Sequence, residues 1–325
     1  MHRIVRVWRA LQACLLLVLL LTKTAGAEAP KPLTVLLDWF INPDHAPLLV
    51  AQNAGIFADH GLEVELVEPA DPSAPPFLVA AGLADLAITY QPNLHLMAAD
   101  GLAIRRVGSL VDSPLNSLVV LADSPVRDIG DLAGRKVGFS VGGFEDILLG
   151  RMLESAGLSL EDVTRINVNF NLSPSLYAGQ VDAVIGAFRN FELNQMDIDG
   201  QPGRAFFPEA YGVPLYEELV IVAAAEASEQ PAILAFLAAI TEATALIQRD
   251  PDAGWKLFIE GRELLLDDAL NRRAWADTVP LFSRDAAALN REGYKAFEAF
   301  LIAQELIDAA VPLEQYARIP TPLEE

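Results

Sequence analysis

The stretch LTVLLDWFINPDHAPLLVAQNAGIFADHGLEVELVEP, residues 33–69, contains the pattern that decides the fold. Its start is apolar and rich in β-branched residues, which predicts a buried strand. Residues 46–61 predict a single amphipathic helix closed by Gly61. In residues 62–66 leucine and valine alternate with glutamate, which is the periodicity of a strand with one buried face. A strand, a helix and a second strand in this order predict parallel pairing with the helix packed on the sheet.

The rest of the chain repeats this alternation in two segments and ends in a strongly helical tail. Such an arrangement predicts an α/β protein of two lobes, with crossings between them near residues 116–121 and 218–223. We assign residues 28–117 and 222–325 to a discontinuous lobe 1 and residues 118–221 to lobe 2. Ligands of such sheets bind at the carboxyl ends of the strands, so we expect the ligand in the cleft between the lobes.

The first 27 residues have the pattern of a secretory signal peptide. Three arginines precede a short apolar run, and Ala25-Gly26-Ala27 offers a small-residue cleavage site. We therefore expect an exported, periplasmic protein, although an uncleaved anchor is the alternative. The single cysteine, Cys14, lies in this leader. Disulfides, thiolate metal sites and thiol nucleophiles are thus excluded for the processed chain.

The formal net charge of −21 makes nucleic acid an unsuitable partner, because phosphates would be repelled. A neutral or cationic small molecule fits better, and we expect a monomer. We expect no metal, because His45, His60 and His95 are not at the spacings that bring ligands together on a helix. No G-x-S-x-G nucleophile motif occurs, so no catalytic residue is assigned.

A polar cluster follows the first strand and is the main candidate for the site. Asp38, Trp39, Asn42 and His45 stand within eight positions, and four interpretations are open: a catalytic base cluster, a metal site, a ligand clamp and an ordinary polar turn. Trp39 could stack on a flat ring, and Asp38 or Asn42 could bind its polar edge. Asp44 fits better as the cap of the following helix.

Further candidates stand where other strands end or where the chain crosses between lobes. Gly142 and Gly143 stand at the start of a predicted helix, and their exposed backbone amides could bind a carbonyl oxygen. At and just after the end of the strand at residues 181–188, the chain offers an aromatic, an amide and an acid, which are Phe188, Asn190 and Glu192. The remaining candidate ligand-binding residues are Tyr90, Gln91, Asn116, Gly142, Gly143, Phe188, Asn190, Glu192 and Glu218.

Residues 37–69, together with the motifs DLAGRKVGFS and GQVDAVIGAF, resemble a known family. They are similar to the thiamine-pyrimidine-precursor binding proteins of ABC importers and to the fungal enzymes that make this pyrimidine. The resemblance implies a type II, periplasmic-binding-protein-like fold and a membrane permease as partner. It implies a 4-amino-2-methylpyrimidine ligand, such as its formylaminomethyl form, and it places Glu192 where an acid faces the pyrimidine.

Two departures argue against the enzymes of this family. The fungal synthases carry a cysteine-rich iron motif in the segment that matches residues 211–226, where this chain has no cysteine. They also hold pyridoxal phosphate on a lysine where this chain has Thr89. His45 matches a histidine that those enzymes use, but it cannot perform the chemistry alone. We therefore expect no cofactor and no enzyme, and we keep riboflavin or a sulfonate as alternative ligands.

Overall fold

A computed structural model describes residues 29–320 of the chain, so the predicted signal peptide and Cys14 lie outside the described residues. The strands in chain order are β1 Lys31–Leu36, β2 Leu62–Val67, β3 Leu86–Thr89, β4 Ile104–Val111, β5 Asn116–Leu121, β6 Lys136–Phe139, β7 Thr164–Asn167, β8 Ala183–Phe188, β9 Gly203–Phe206 and β10 Leu219–Ala224. The α-helices are α1 Ala46–Asn53, α2 Ile56–Asp59, α3 Pro75–Ala80, α4 Gln91–Ala99, α5 Phe144–Glu154, α6 Leu172–Tyr177, α7 Glu192–Ile198, α8 Pro231–Arg249, α9 Pro251–Ile259, α10 Glu263–Leu266, α11 Ala269–Thr278, α12 Arg291–Ala303 and α13 Leu313–Tyr316.

The strands form two five-stranded sheets. The first has the order β2-β1-β3-β10-β4, with β1 parallel to β2 and β3 and with β10 antiparallel to its neighbours. The second has the order β7-β6-β8-β5-β9, with β6 parallel to its neighbours and β5 antiparallel to its own. The chain leaves the first sheet after β4 and returns to it with β10. The lobe boundaries at 117/118 and 221/222 remain a prediction.

The opening stretch folds as the predicted strand, helical segment and strand, with one correction. The segment predicted as a single helix is two helices, α1 and α2, because Gly55 lies between them with φ +75°. This left-handed conformation is readily adopted by glycine and interrupts the helical backbone. The break lets the chain turn at the end of α1 and reach β2, which pairs with β1 along its whole length.

Helices of the tail cover the first sheet and complete lobe 1. Helix α8 packs on α1, with Phe236 and Ile240 buried in the core. By length and composition it is the one described helix that could cross a membrane, and half of its most apolar window is buried inside the protein. Asp250 ends α8 and caps α9, where its carboxylate accepts a hydrogen bond from the backbone N–H of Ala253. Helix α11 then reaches the segment that follows β1.

Candidate functional site

A cavity lies between the two lobes, at the ends of β1, β3, β6 and β8. The empty space between its walls is about 450 Å³ when open solvent at the mouth is included, but only about 20 Å³ is open to the centre of a water-sized molecule, so we call this narrow cavity the slot. The lining residues are Asp38, Trp39, Asn42, Asp44, His45, Tyr90, Val141, Phe144, Glu145, Leu172, Gly186, Phe188, Phe191 and Glu192. Seven of the residues proposed from sequence are therefore together at this cavity: Asp38, Trp39, Asn42, His45, Tyr90, Phe188 and Glu192.

The segment after β1 is shaped by a short 3₁₀ helix, Pro43–His45. Its cap is Asn42, whose Oδ1 accepts a hydrogen bond from the backbone N–H of Asp44 at 2.8 Å. The backbone N–H of Asn42 in turn donates to Nδ1 of His45 at 3.3 Å. The prediction that Asp44 is the cap was wrong: the helical turn begins earlier than the sequence pattern suggests, so Asp44 lies inside it.

Asp38 is held between His45 and Tyr90 by two side-chain hydrogen bonds. Because Nδ1 of His45 accepts from a backbone amide, the ring proton is on Nε2, which lies 3.0 Å from Oδ1 of Asp38. The Tyr90 hydroxyl donates to Oδ2 of Asp38 at 2.9 Å. All three side chains are buried. His45 therefore has the partner that sequence reasoning did not find, and both of its nitrogens are occupied.

Aromatic side chains from both lobes border the cavity. Trp39 in lobe 1 is partly exposed to it, and its edge contacts Phe170 with the ring centroids 4.7 Å apart. In lobe 2, Phe188 is also partly exposed and meets the ring of Tyr90 edge-on at 6.5 Å. Tyr90 stacks on Phe144 with the centroids 4.6 Å apart. Both lobes therefore contribute aromatic surface to the cavity, which suits a flat aromatic ligand.

Two buried carboxyl groups of lobe 2 face this aromatic space. Oε2 of Glu145 accepts from the backbone N–H of Ser140 at 2.7 Å, and Oε2 of Glu192 accepts from that of Phe188 at 2.6 Å. Burial raises the pKa of Glu145 well above its usual range and that of Glu192 to about 8. The protonated form of Glu192 is therefore favoured at neutral pH, and in this form the group offers one donor and one acceptor.

Glu145 was missed by sequence reasoning, although it stands in the first turn of a helix after a strand end, which is the signal used for other candidates. It can approach the cavity because Gly186, in β8, leaves room. A Cβ at position 186 would lie 2.3 Å from Oε1 of Glu145, and Gly186 has φ +104°. Gly186 and Glu145 can approach each other this closely because glycine has no side chain.

Asp44 lines the cavity with one oxygen occupied and the other without a partner. Its Oδ1 accepts from Nδ2 of Asn190 at 2.6 Å and lies 3.1 Å from the hydroxyl of Thr278. Its Oδ2 is buried and has no hydrogen-bond partner. Burial raises the pKa of Asp44 to about 6, against the opposing effects of His45, Asn190 and Thr278. An unpaired buried oxygen is costly, so this atom is suited to accept from a ligand.

The other predicted site residues do not line this cavity. Asn190 contacts Asp44 and Thr278 instead. Gln91 is directed away and accepts from the backbone N–H of Glu217. The remaining four lie at turns and crossings: Gly142, Gly143, Asn116 and Glu218.

The crossings between the lobes are joined by Glu218. Its Oε2 accepts from the backbone N–H groups of Leu115 and Asn116, at 2.5 and 2.9 Å, and the side chain is fully buried. Burial raises the pKa of Glu218 to about 7. Asn116 accepts at Oδ1 from the N–H of Gly186 at 3.1 Å. Gly143 donates its own N–H to Asp146, so that amide is already used.

The cavity lining is rich in acidic residues. It includes four carboxyl groups, and among residues 29–320 neither lysine nor arginine borders the cavity. Within the same described range, no group of three or more histidine, cysteine or acidic residues is placed to hold a metal ion. The site therefore offers hydrogen-bond acceptors and protonated carboxyl groups between aromatic rings, which suits a flat molecule with several N–H groups.

Two lobes with a cavity at the strand ends define the fold of periplasmic solute-binding proteins. A solved structure of the alkanesulfonate-binding protein of Xanthomonas axonopodis pv. citri, bound to MOPS, has a TM-score of 0.71 and 19% identity to this chain. The match covers 89% of this chain and 99% of the other. The predicted two-lobed fold is confirmed.

The chain belongs to the family described as NMT1/THI5 like, whose model matches residues 42–254. It is 48% identical over 294 residues to a Haemophilus influenzae protein named for thiamine biosynthesis, covering 90% of this chain and 94% of that one. It is 35% identical over 255 residues to the formylaminopyrimidine-binding protein of Halalkalibacterium halodurans, covering 77% and 72%. The predicted resemblance is confirmed.

The family also contains enzymes. The 4-amino-5-hydroxymethyl-2-methylpyrimidine phosphate synthase of Schizosaccharomyces pombe is 28% identical to this chain over 274 residues, which covers 81% of this chain and 79% of the enzyme.

Proposed function

We propose that the protein is the exported solute-binding component of an ABC importer and captures a 4-amino-2-methylpyrimidine precursor of thiamine. The observation that carries this proposal is the cavity itself, with aromatic rings from both lobes and four carboxyl groups but no lysine or arginine among the described lining residues. The name of the 35% identical relative, a formylaminopyrimidine-binding protein, supports the same ligand class.

The pyrimidine ring would lie in the slot between Trp39 and Phe188. Both rings are partly exposed at the cavity although each is anchored by other aromatic contacts. Aromatic contacts of this kind contribute about 0.5–1.5 kcal/mol each beyond the burial of area. Trp39 belongs to lobe 1 and Phe188 to lobe 2, so the ligand gains both contacts when the lobes close.

The polar edge of the ligand would be bound by Glu192 and Asp44. An aminopyrimidine edge presents an amino N–H beside a ring nitrogen that accepts. A protonated carboxyl group is its complement, because it accepts at one oxygen and donates from the other. Glu192, whose pKa is raised to about 8 by burial, has this form at neutral pH. The unpaired Oδ2 of Asp44 can accept a further N–H of the ligand.

Lobe closure around the ligand and delivery to a permease complete the proposed role. The predicted leader at residues 1–27 supports export, and the predicted boundaries at 117/118 and 221/222 place both crossings beside Glu218. Closure would bring the residues of the two lobes together and exclude water from the ring. The chemistry is non-covalent, with no bond made or broken.

The alternatives fit the cavity less well. A sulfonate or nitrate would face four carboxyl groups without a positively charged partner in the described lining, which is unfavourable for an anion. Synthesis of the pyrimidine, as the resemblance to the fungal enzymes implies it, would need a lysine for pyridoxal phosphate and cysteines for iron. This chain has Thr89 in place of the lysine and no cysteine in residues 211–226. His45, whose ring nitrogens are both engaged, serves to hold Asp38.

Isothermal titration calorimetry with formylaminopyrimidine, riboflavin and taurine tests the proposal. We expect stoichiometric binding of the pyrimidine without turnover, and much weaker or undetectable binding of the other two. Mass spectrometry of the ligand that co-purifies under native conditions provides an independent identification. Absence of pyrimidine binding together with micromolar binding of riboflavin or taurine would overturn the ligand assignment, and conversion of the pyrimidine into a product would overturn the binding role.

A further inference from the structure

The two lobes touch through a row of contacts between α7 and α11 beside the cavity. At the exposed end, Arg273 lies 2.6 Å from Asp197, and Nδ2 of Asn194 donates to Asp277 at 2.7 Å. Exposed contacts of this kind contribute little energy individually. The contact of Asn190, which stands just before α7, differs because it is buried at the cavity wall.

Asn190 uses both of its amide protons on lobe 1. Nδ2 donates to Oδ1 of Asp44 and to the hydroxyl oxygen of Thr278, each at 2.6 Å. The Thr278 hydroxyl has one proton to donate, and two acceptors lie within hydrogen-bonding distance of its oxygen. They are Oδ1 of Asp44 at 3.1 Å and the backbone carbonyl of Ala274 at 2.7 Å. One amide of lobe 2 therefore joins the segment after β1 to α11, and Oδ2 of Asp44 remains without a partner.

We propose that Asn190 is a positioning residue that couples closure of the cleft to recognition of the ligand. By binding Oδ1 of Asp44 across the cleft, it directs Oδ2 toward the cavity, where a ligand N–H completes the set of hydrogen bonds. The inference rests on the proposed function for the identity of that N–H group. It changes the role expected for Asn190, which sequence reasoning had placed in direct contact with the ligand.

The physical basis is the cost of a buried carboxylate with too few donors. When the lobes open, Asp44 loses the amide of Asn190, and its side chain is no longer fixed against the cavity. When they close without a ligand, Oδ2 is buried without a partner, which is costly. A ligand N–H removes that cost in the closed form alone, so ligand binding and closure stabilise each other. The charged or titratable groups near Asp44 are His45, Asp38 and Glu192.

A double-mutant cycle with formylaminopyrimidine as the probe tests this coupling. We expect Asn190→Ala to weaken binding about tenfold, as for the loss of one hydrogen bond to a charged group. In an Asp44→Ala background the same change should alter affinity less than about twofold, because Asn190 acts through Asp44. Asp197→Ala is the control: it removes the exposed cross-lobe contact with Arg273, which touches neither Asn190 nor Asp44, and we expect less than about a threefold effect.

Equal effects of Asn190→Ala in both backgrounds would overturn the inference, since Asn190 would then act independently of Asp44. Thr278→Val, which keeps the shape of the side chain, provides a second variant if Asn190→Ala fails to fold, and it should weaken binding about threefold. If it leaves affinity unchanged, the inference is equally overturned.

Small-angle X-ray scattering of the ligand-free protein separates this inference from the proposed function. We expect Asn190→Ala to shift the population toward an open form with a larger radius of gyration than the unmodified protein has. No shift would overturn the role of Asn190 in closure, whichever ligand the protein binds. Failure of the unmodified protein to bind the pyrimidine would contradict the proposed function and would leave the scattering result as the test of closure.

Discussion

The two walls of the cavity are built in different ways. In lobe 1 both oxygens of Asp38 are occupied, one by His45 and the other by Tyr90, and Asp44 keeps one oxygen without a partner. In lobe 2 the hydrogen bonds found for Glu145 and Glu192 occupy one oxygen of each and come from the backbone. The first wall is a fixed support for Trp39, whereas the second wall still has bonding capacity for a ligand.

The two walls should therefore respond differently to substitution. Changes in the network of Asp38, His45 and Tyr90 should mainly alter stability, and changes of the lobe 2 acids should mainly alter affinity. A buried acid that serves binding also lowers the stability of the folded protein, because its charged form is poorly solvated.

The largest effect is expected for Glu192→Leu. Loss of both the donor and the acceptor of the carboxyl group should weaken pyrimidine binding about 10- to 100-fold, because a hydrogen bond of a charged or strongly polar pair contributes about 1.5–3 kcal/mol. Calorimetry measures the affinity. Asp199→Asn, at the exposed end of the same helix, is the control, and equal losses in Glu192→Leu and Asp199→Asn would contradict the contrast between the walls.

Glu192→Gln keeps one donor and one acceptor and should therefore weaken binding less than about threefold. Its melting temperature at pH 8.5 should not fall, because a buried ionising group has been removed. A loss of affinity as large as that of Glu192→Leu would show that the ligand needs the charged carboxylate.

Trp39→Ala should weaken binding at least about tenfold, or about 1.4 kcal/mol, because it removes one ring face from the slot. Trp255→Phe is the matched aromatic control, since Trp255 packs against Trp275 and Phe258 in the helical core of lobe 1 and does not line the cavity. Unchanged affinity of the Trp39 variant would mean that this ring serves the fold and not the ligand.

Tyr90→Phe tests the lobe 1 wall, where we expect a substitution to change stability more than affinity. It removes the hydroxyl that donates to Asp38 and leaves a buried carboxylate oxygen unpaired, which costs about 1–3 kcal/mol. We expect a lower melting temperature and less than about a threefold change in affinity. The reverse result, a tenfold loss of affinity at an unchanged melting temperature, would place the Tyr90 hydroxyl on the ligand.

The pH dependence of stability should reflect the buried acids. Burial raises the pKa of Glu192 from 4.5 to about 8 and that of Glu218 from 4.5 to about 7. The folded state therefore binds more protons than the unfolded chain between about pH 4.5 and 8, and stability falls as the pH rises through this window. We expect the ligand-free melting temperature to be at least about 2 °C lower at pH 8.5 than at pH 5.5. Glu192→Gln should reduce this slope, and an unchanged slope would show that Glu192 does not titrate in the window.

The sequence predicted the elements of the fold better than the orientation of their side chains. The alternation of strands and helices and the clustering of polar residues after β1 were readable because periodicity and turn residues are local signals. The pairing of His45 with Asp38 was not, since it depends on the 3₁₀ turn that brings residues seven positions apart together. Glu145 was missed because its access depends on Gly186, more than forty positions away in the chain.

Asn190 and Gln91 show the same limit at the strand ends. Both follow a strand at its carboxyl end, where ligand contacts are common, and a rotation of each side chain decides its partner. Gln91 is directed to the backbone of Glu217 and Asn190 to Asp44. These orientations are set by packing between distant segments, about which periodicity contains no information.

The shared acceptor at the crossings has a consequence for how the protein moves. One oxygen of Glu218 holds the amides of Leu115 and Asn116, and a single acceptor atom tolerates changes in donor direction better than a ladder of paired strands does. We therefore expect the lobes to rotate about this point without breaking either bond. In hydrogen–deuterium exchange these two amides should stay protected with and without ligand, while the amides around the mouth of the cleft become slower to exchange when ligand is bound.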